Sequence, residues 1–362
     1  MLSTHPVITD KKILVLEPYH GGSHKAFLED LVRFLPFSFD FLTLPARKWK
    51  WRMRLAAPFF AEKMETMEKY DIILCSGFVD VACLRGLAPA WVRSVPVYTY
   101  FHENQFAYPA QKDDERDFHF FLTNFTSALA SDQVAFNSEY NRESFLNGAK
   151  DLLKRSSDME LERSEEMIRE KSVILHPGID FTAIDQAPVS EAGDEPVILW
   201  NHRWEHDKNP EFFFKNLFEL DRNGVCFKLV VLGKSFQRQP EIFQEAERRL
   251  QKRILHFGYL SSRKEYVSWL KKCDIIVSTA IHEFYGISVI EAVRAGCRPL
   301  LPRRLSYPEL FPEEYLYADI DFSDRLMSLL RQKRLSRTTA LRLTDCFSWT
   351  LLAGEYRNWF EI

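Results

Sequence analysis

Two pairs of charged residues carry the first chemical signal in this sequence. Glu283 and Glu291 stand eight positions apart, and Arg203 and Lys208 stand five apart. Carboxylates accept hydrogen bonds from hydroxyls, so an acid at a strand tip and a second on the following helix can together grip a sugar and a ribose. Guanidinium and ammonium groups hold phosphate oxygens. Two of them just ahead of a helix start make a diphosphate clamp. Gly286 falls between the acids, where the backbone has to turn tightly, with Phe284 and Ile287 on either side. A helix opening there leaves its first N–H groups unpaired and suited to a phosphate. Each feature also has a plainer reading: Glu291 as a solvated helix residue, Glu283 as a loop acid, and the two cations as surface ion-pair partners.

Three further stretches offer chemistry. Gly21-Gly22-Ser23 follows an apolar run and opens a helix, either a backbone cradle with Ser23 capping and His20 or His24 nearby, or a plain strand-to-helix turn. His102-Glu103-Asn104-Gln105 crowds the carboxyl end of VPVYTYF, where open α/β sheets bind ligands. His102 there is a reacting group or a structural histidine bonded to a loop carbonyl. Lys48-Trp49-Lys50-Trp51-Arg52-Met53-Arg54 interleaves cations with aromatics. That composition pairs phosphates and stacks bases, and it equally suits an exposed helix start. Tyr259, after Gly258, falls where a loop can frame a nucleobase.

These residues need elements to hold them. Strands read at 12–16, 37–44, 71–74, 95–101, 134–136 and 173–175, alternating with turns and helical spacing. The pattern restarts after QAPVSEAGDEP (186–196), at 197–200, 227–233, 254–260 and 274–280. Asn209-Pro210 reads as a helix cap and first-turn proline. Strands alternating with helices predict mainly parallel sheets. We therefore expect an α/β protein with a first domain over 1–185, a second over 186–344, and a helix over 345–362 crossing back to the first. Residues 148–171 read as a charged helical excursion.

Composition narrows the class. At 362 residues the chain exceeds a typical single core. No apolar run reaches the roughly 20 residues that span a bilayer, and the first dozen residues lack a signal-like apolar core, so a cytoplasmic protein without stable membrane insertion is expected. The six cysteines are scattered, none in C-x2-C spacing, which indicates neither zinc nor a disulfide framework. A net charge of −3 gives no global attraction to nucleic acid, so any RNA contact needs a local patch.

The two-domain pattern, with cations and paired glutamates in the second half, resembles the GT-B architecture of family 4 retaining glycosyltransferases. In that architecture two Rossmann-like domains with parallel sheets face a central cleft. Five longer blocks, EPYHGGSHKAF, YFHENQFAYP, HRWEHDKNPEFFF, HEFYGISVIEAVRAGC and RLSYPELFPEEYLY, span residues 17 to 317. Their wording is similar to the tRNA-queuosine mannosyltransferase family, whose enzymes transfer mannose from GDP-mannose to queuosine in the tRNA anticodon. The 148–171 excursion matches nothing in that resemblance.

The resemblance implies roles for these residues. Arg203 and Lys208 would hold the donor diphosphate and stabilise it as it leaves. Glu283 would bind the sugar hydroxyls and Glu291 the ribose, while Gly21, Gly22, Tyr259, Phe284, Gly286 and Ile287 would complete the donor site. His102 would lie at the reacting face. The 48–54 block and Asn104 would meet the RNA acceptor. A nucleotide sugar and queuosine-containing tRNA would be the partners, with no cofactor and no metal, because arginine and lysine supply the positive charge. Front-face substitution, in which the departing phosphate helps remove the acceptor proton, would take the place of the second carboxylate that retaining glycosidases use. Two alternatives stand beside this reading: a glycan or lipid-linked acceptor at a membrane face, and a nucleotide- or RNA-binding protein without catalysis.

Overall fold

The computed structural model describes residues 11–107, 118–156, 158, 161–188, 193–234 and 240–362. Tyr108 and Pro109 of the YFHENQFAYP block, part of the 148–171 excursion (157, 159 and 160), and 189–192 of the compositional linker lie outside them. The chain forms two compact units, one running to Gly178 and joined by Trp349–Ile362, the other Ile179–Ser348. The break falls ahead of the 186–196 stretch because Ile179, Phe181 and Ile184 are buried in the second unit's core.

In the first unit, β1 (Lys12–His20), β2 (Ser38–Pro45), β3 (Ile72–Ser76), β4 (Val97–Phe101), β5 (Gln133–Phe136) and β6 (Ser172–Ile174) form one sheet in the order β2-β1-β3-β4-β5-β6. Every neighbour is parallel. Alternation along β1 sends Ile13 and Val15 to one face and Leu14 and Leu16 to the other. Helix Trp49–Met64 covers the second of these faces through Ala57, Phe60 and Met64. The C-terminal helix Trp349–Glu361 covers the first, burying Trp349, Leu352, Tyr356, Trp359 and Phe360. Full burial of an apolar side chain contributes about 1.5–3 kcal/mol, so these five make the last helix an integral layer of this unit. Gly178 lets it in, since a Cβ there would lie 2.3 Å from the Trp349 ring.

In the second unit, β7 (Val197–Asn201), β8 (Lys228–Leu232), β9 (Ile254–Gly258), β10 (Ile275–Val277), β11 (Arg298–Pro302) and β12 (Leu316–Tyr317) run parallel in the order β12-β11-β10-β7-β8-β9. That is the dinucleotide-fold order, and its strand order reverses between β7 and β10. In the first unit the reversal lies between β1 and β3. Open parallel sheets bind ligands beyond the carboxyl ends at such points.

Three local expectations are corrected. The run 274–280 gives a strand of only three residues, because Ser278 Oγ turns to the Tyr307 hydroxyl at 2.7 Å and Thr279 Oγ1 bonds the Lys208 carbonyl at 2.8 Å. Asn209 makes no side-chain cap and sits at φ 50°, although Pro210 does open its helix. Ser23 lies inside helix Gly22–Phe34, whose cap position is Gly21.

Candidate active site

The second unit assembles its charged groups around Lys208. Arg203 and Lys208 follow β7, and the turn Glu205–Lys208 brings Lys208 under the loop after β10. Its Nζ donates to the His282 carbonyl at 2.6 Å and lies 3.3 Å from Glu283 Oε2 and 3.1 Å from Asp207 Oδ2. Lys208 is buried, 5% exposed, yet it stays charged. Burial presses its pKa down, but the Glu283 and Asp207 carboxylates outweigh that and hold it above the ordinary lysine value. The same pairing works in reverse on Glu283. Burial pushes its pKa up, and Lys208, His202 and His282 bring it below the usual carboxylate range. Asp207 is depressed as well, its burial overcome by the His282 ring 3.8 Å away and by the Lys208 charge. Arg203 is exposed, with Nη1 3.1 Å from Glu205 Oε2.

Glu291 lies on helix Ile287–Arg294 and is buried. Its Oε2 accepts the Tyr266 hydroxyl at 2.7 Å and its Oε1 pairs with Arg263 at 2.6 Å. Tyr266 in turn accepts from Asn201 Nδ2 at 2.9 Å, at the end of β7. A carboxylate fixed by two donors keeps further lone pairs for a diol. Gly286 precedes this helix at φ 97°, and a Cβ there would stand 3.3 Å from Tyr307 Cε1. Glycine alone fits that turn comfortably. The main-chain N–H groups of Gly286, Ile287 and Ser288 therefore head the helix without intrahelical partners. Phe284 is 5% exposed, so its contribution to a ligand is main-chain. Tyr259 is exposed after Gly258, which sits at φ 141° with open space above it.

The first unit places Gly21 and Gly22 at the end of β1. Gly21 is extended, and a Cβ on it would meet Ala46 Cβ at 2.6 Å. Gly22 takes φ 55° over open space. His102 lies just past β4, its ring 4.2 Å from that of His24. Asn104 is corrected as an acceptor contact. It is fully buried, its amide nitrogen donates to Asn141 and Ser144, and its oxygen accepts from the Ala107 N–H. Its work is to hold the turn behind His102.

The 48–54 block forms the start of helix Trp49–Met64. Met53 is buried against Phe78 and Phe120, and Trp49 packs 5.0 Å from Phe120. Trp49 is thus half-buried and Arg52 likewise, while Lys48, Lys50, Trp51 and Arg54 face outward. Trp51 is 66% exposed, with exposed Leu55 and Phe59 following at helical spacing.

In the second unit sequence reasoning missed four groups: Asp207, His202, Arg263 and Tyr266. The Asp207-Lys208 adjacency and the i, i+3 spacing of Arg263 and Tyr266 were the available signals. Among the described residues, Glu17, His24 and His102 also offer three potential ligand atoms within 4.8 Å of one another.

Residues 12–179 match the family described as tRNA-queuosine alpha-mannosyltransferase N-terminal, and residues 182–336 match glycosyl transferases group 1. Two solved structures share the fold. Sucrose-phosphate synthase from Thermosynechococcus elongatus has a TM-score of 0.70 at 14% identity, covering 98% of both chains. The lipopolysaccharide outer core galactosyltransferase WaaB has a TM-score of 0.65 at 12% identity, covering 97% of this chain and 99% of its own. The fold is therefore GT-B. A tRNA-queuosine alpha-mannosyltransferase of Drosophila melanogaster is 35% identical over 353 residues, which is 95% of this chain and 93% of the relative. With group 1 transferase residues spanning its second unit and that identity running through both, this chain belongs to the tRNA-queuosine alpha-mannosyltransferase family of glycosyltransferases.

Proposed function

We propose that the protein transfers mannose from GDP-mannose to queuosine in the tRNA anticodon, retaining the configuration of the sugar and using no metal. The observation that carries this reading is 35% identity over 95% of the chain to a relative whose name specifies that acceptor and sugar. GDP as the nucleotide follows from the resemblance of the five sequence blocks.

In this reading the Lys208 ammonium and the Arg203 guanidinium take the diphosphate, with the main-chain N–H groups from Gly286 onward. Lys208 is already desolvated, so its charge acts on the leaving phosphate without water to move aside. Glu283, held ionised by Lys208, accepts sugar hydroxyls. Glu291, steadied by Tyr266 and Arg263, accepts the ribose diol. The resemblance assigns His102 to the hydroxyl that reacts, and the departing phosphate oxygen receives the acceptor proton as the new glycosidic bond forms. Lys50, Trp51 and Arg54 steer the RNA, since outward cations pair phosphates and an open indole stacks a base.

Incubating queuosine-containing tRNA with the protein and GDP-mannose should add one hexose to the nucleoside by mass spectrometry. Unchanged tRNA in the presence of a folded protein refutes the proposal. A thermal-shift comparison of GDP-mannose with UDP-glucose separates the donors, because ligand binding to the folded state raises its stability by mass action.

A further inference from the structure

Glu17 is an unusual residue for its place. It continues the apolar run Ile13–Leu16 on β1 and is 1% exposed, where an unpaired carboxylate costs several kcal/mol. Three donors satisfy it. The Tyr19 N–H gives to Oε1 at 2.7 Å, the Ser76 hydroxyl gives to Oε1 at 3.2 Å, and His24 Nδ1 lies 2.9 Å from Oε2. Tyr19 and Ser76 are local scaffolding at the β1/β3 ends. His24 is different, because it comes from the first turn of the next helix and carries a second nitrogen that this bond does not use. Its ring lies against that of His102 at 4.2 Å, tilted by 38°. Tyr100 at 4.6 Å and the edge-on Phe27 at 4.8 Å close other sides of His102.

We propose that Glu17 and His24 act together as positioning residues for His102, a carboxylate–imidazole pair that sets the orientation of the His102 ring toward the reacting hydroxyl. The inference rests on the reading of His102 given above. Glu17 accepts from His24 Nδ1 and so fixes the orientation of that ring, as carboxylates do for histidines in other sites. The titratable groups facing His24 are Glu17, Glu103, Tyr19 and His102, and those facing His102 are His24 and Tyr100. Burial presses the His24 pKa down, but Glu17, with Glu103 behind it, lifts it above the ordinary histidine value. His102 goes the other way, depressed by burial and by the His24 charge. Two imidazoles this close do not both hold a proton. His24 carries it, so His102 keeps one donor and one acceptor nitrogen for a hydroxyl. A metal ion shared by the three side chains fits the hydrogen bonding less well, since both Glu17 oxygens and His24 Nδ1 are already engaged.

The test compares Glu17→Gln, His24→Asn and His102→Ala in hexose transfer to queuosine-tRNA. Asparagine places an amide nitrogen about where Nδ1 lies, so His24→Asn keeps Glu17 bonded while removing the ring and its charge. Glu17→Gln and His24→Asn should each lower kcat about tenfold to a hundredfold, with KM for both substrates changed less than about threefold. The acidic limb of kcat/KM should move up by about half a pH unit or more once the His24 charge is gone. Adding Glu17→Gln to His102→Ala should cost nothing further, because the pair works through His102. Wild-type kcat and pH profile in His24→Asn overturn the proposal. So does a loss in Glu17→Gln that follows thermal stability and leaves the pH profile fixed, and so does stoichiometric zinc in the purified protein that vanishes in His24→Asn. Full transfer by His102→Ala instead removes the underlying reading of His102.

Discussion

Replacing Lys208 by methionine tests the donor site at its most exacting point. Methionine keeps the length of the side chain and removes the charge, which leaves Glu283 and Asp207 facing each other across a site where their side chains are 20% and 11% exposed. Removing one partner from a buried charged cluster costs about 3–5 kcal/mol. For a protein with units of this size, each kcal/mol lowers Tm by about 2–4 °C, so a fall of about 6–20 °C is expected. Glu283→Ala is milder. Lys208 retains Asp207 at 3.1 Å and the His282 carbonyl at 2.6 Å, so the loss is that of one charged hydrogen bond, about 1.5–3 kcal/mol. Chemical denaturation of Lys208→Met, of Glu283→Gln and of the two combined gives the decisive comparison. Neutralising Glu283 should stabilise the Lys208→Met background by about 1 kcal/mol or more, though it destabilises the wild type. If Lys208→Met is as stable as wild type, or Glu283→Gln destabilises both backgrounds equally, the lysine is not balancing two acids. The account of how the diphosphate site is prepared then fails.

Three other perturbations follow from particular residues. His202 is buried and its pKa is pushed from 6.5 to about 4, chiefly by burial and then by Lys208. Its neutral form is therefore favoured by folding, and about 3 kcal/mol of stability present above pH 6.5 drains away as pH falls toward 4; His202→Gln should flatten that slope in urea titrations, and an unchanged slope refutes it. At Gly233 a Cβ would stand 1.8 Å from the His202 carbonyl oxygen, so Gly233→Ala should yield little folded protein in circular dichroism, whereas Gly22→Ala, with φ 55° over open space, should cost only about 1–2 kcal/mol while weakening donor binding. Replacing Lys50, Trp51 and Arg54 by alanine should weaken tRNA binding and reduce its salt slope by about 1 per lost phosphate contact while leaving donor hydrolysis intact; equal loss of both activities removes the RNA role of that helix.

The legible part of this molecule was the part written in apolar runs. Strands such as Ile72–Ser76 and Val197–Asn201, buried on both faces, read as β-branched or leucine-rich stretches, and the restart of that pattern divided the chain in two. The acids and cations were visible because they interrupt such runs at their carboxyl ends. Less visible was anything set by a partner distant in sequence. Thr279 reaches back 71 residues to the Lys208 carbonyl, which stops β10 early although its residues favour a strand. Asn104 looked like an acceptor contact because it sits beside His102, but its amide finds Asn141 and Ser144 on a helix that the local spacing cannot place. Trp49 and Trp51 are alike in sequence and differ by which helix face meets Phe120.

The same limit hides Glu17 in the sequence. Read along the chain it is the first polar residue after a strand, an ordinary position for a loop acid. In the fold β1 continues to His20, so Glu17 lies within the strand at the point where the sheet order reverses. A buried carboxylate there has to be matched by donors from two other elements, Ser76 of β3 and His24 of the following helix. Such matching is expensive to build by chance, because each donor is also withdrawn from water. An apolar residue at 17 would pack the same space more cheaply. The charged pair beside His102 thus answers a demand of the chemistry rather than of stability. That reasoning makes a sharp prediction: Glu17→Leu with His24→Phe should match or exceed wild type in thermal stability while transferring hexose far more slowly. A double variant both less stable and fully active reverses the argument.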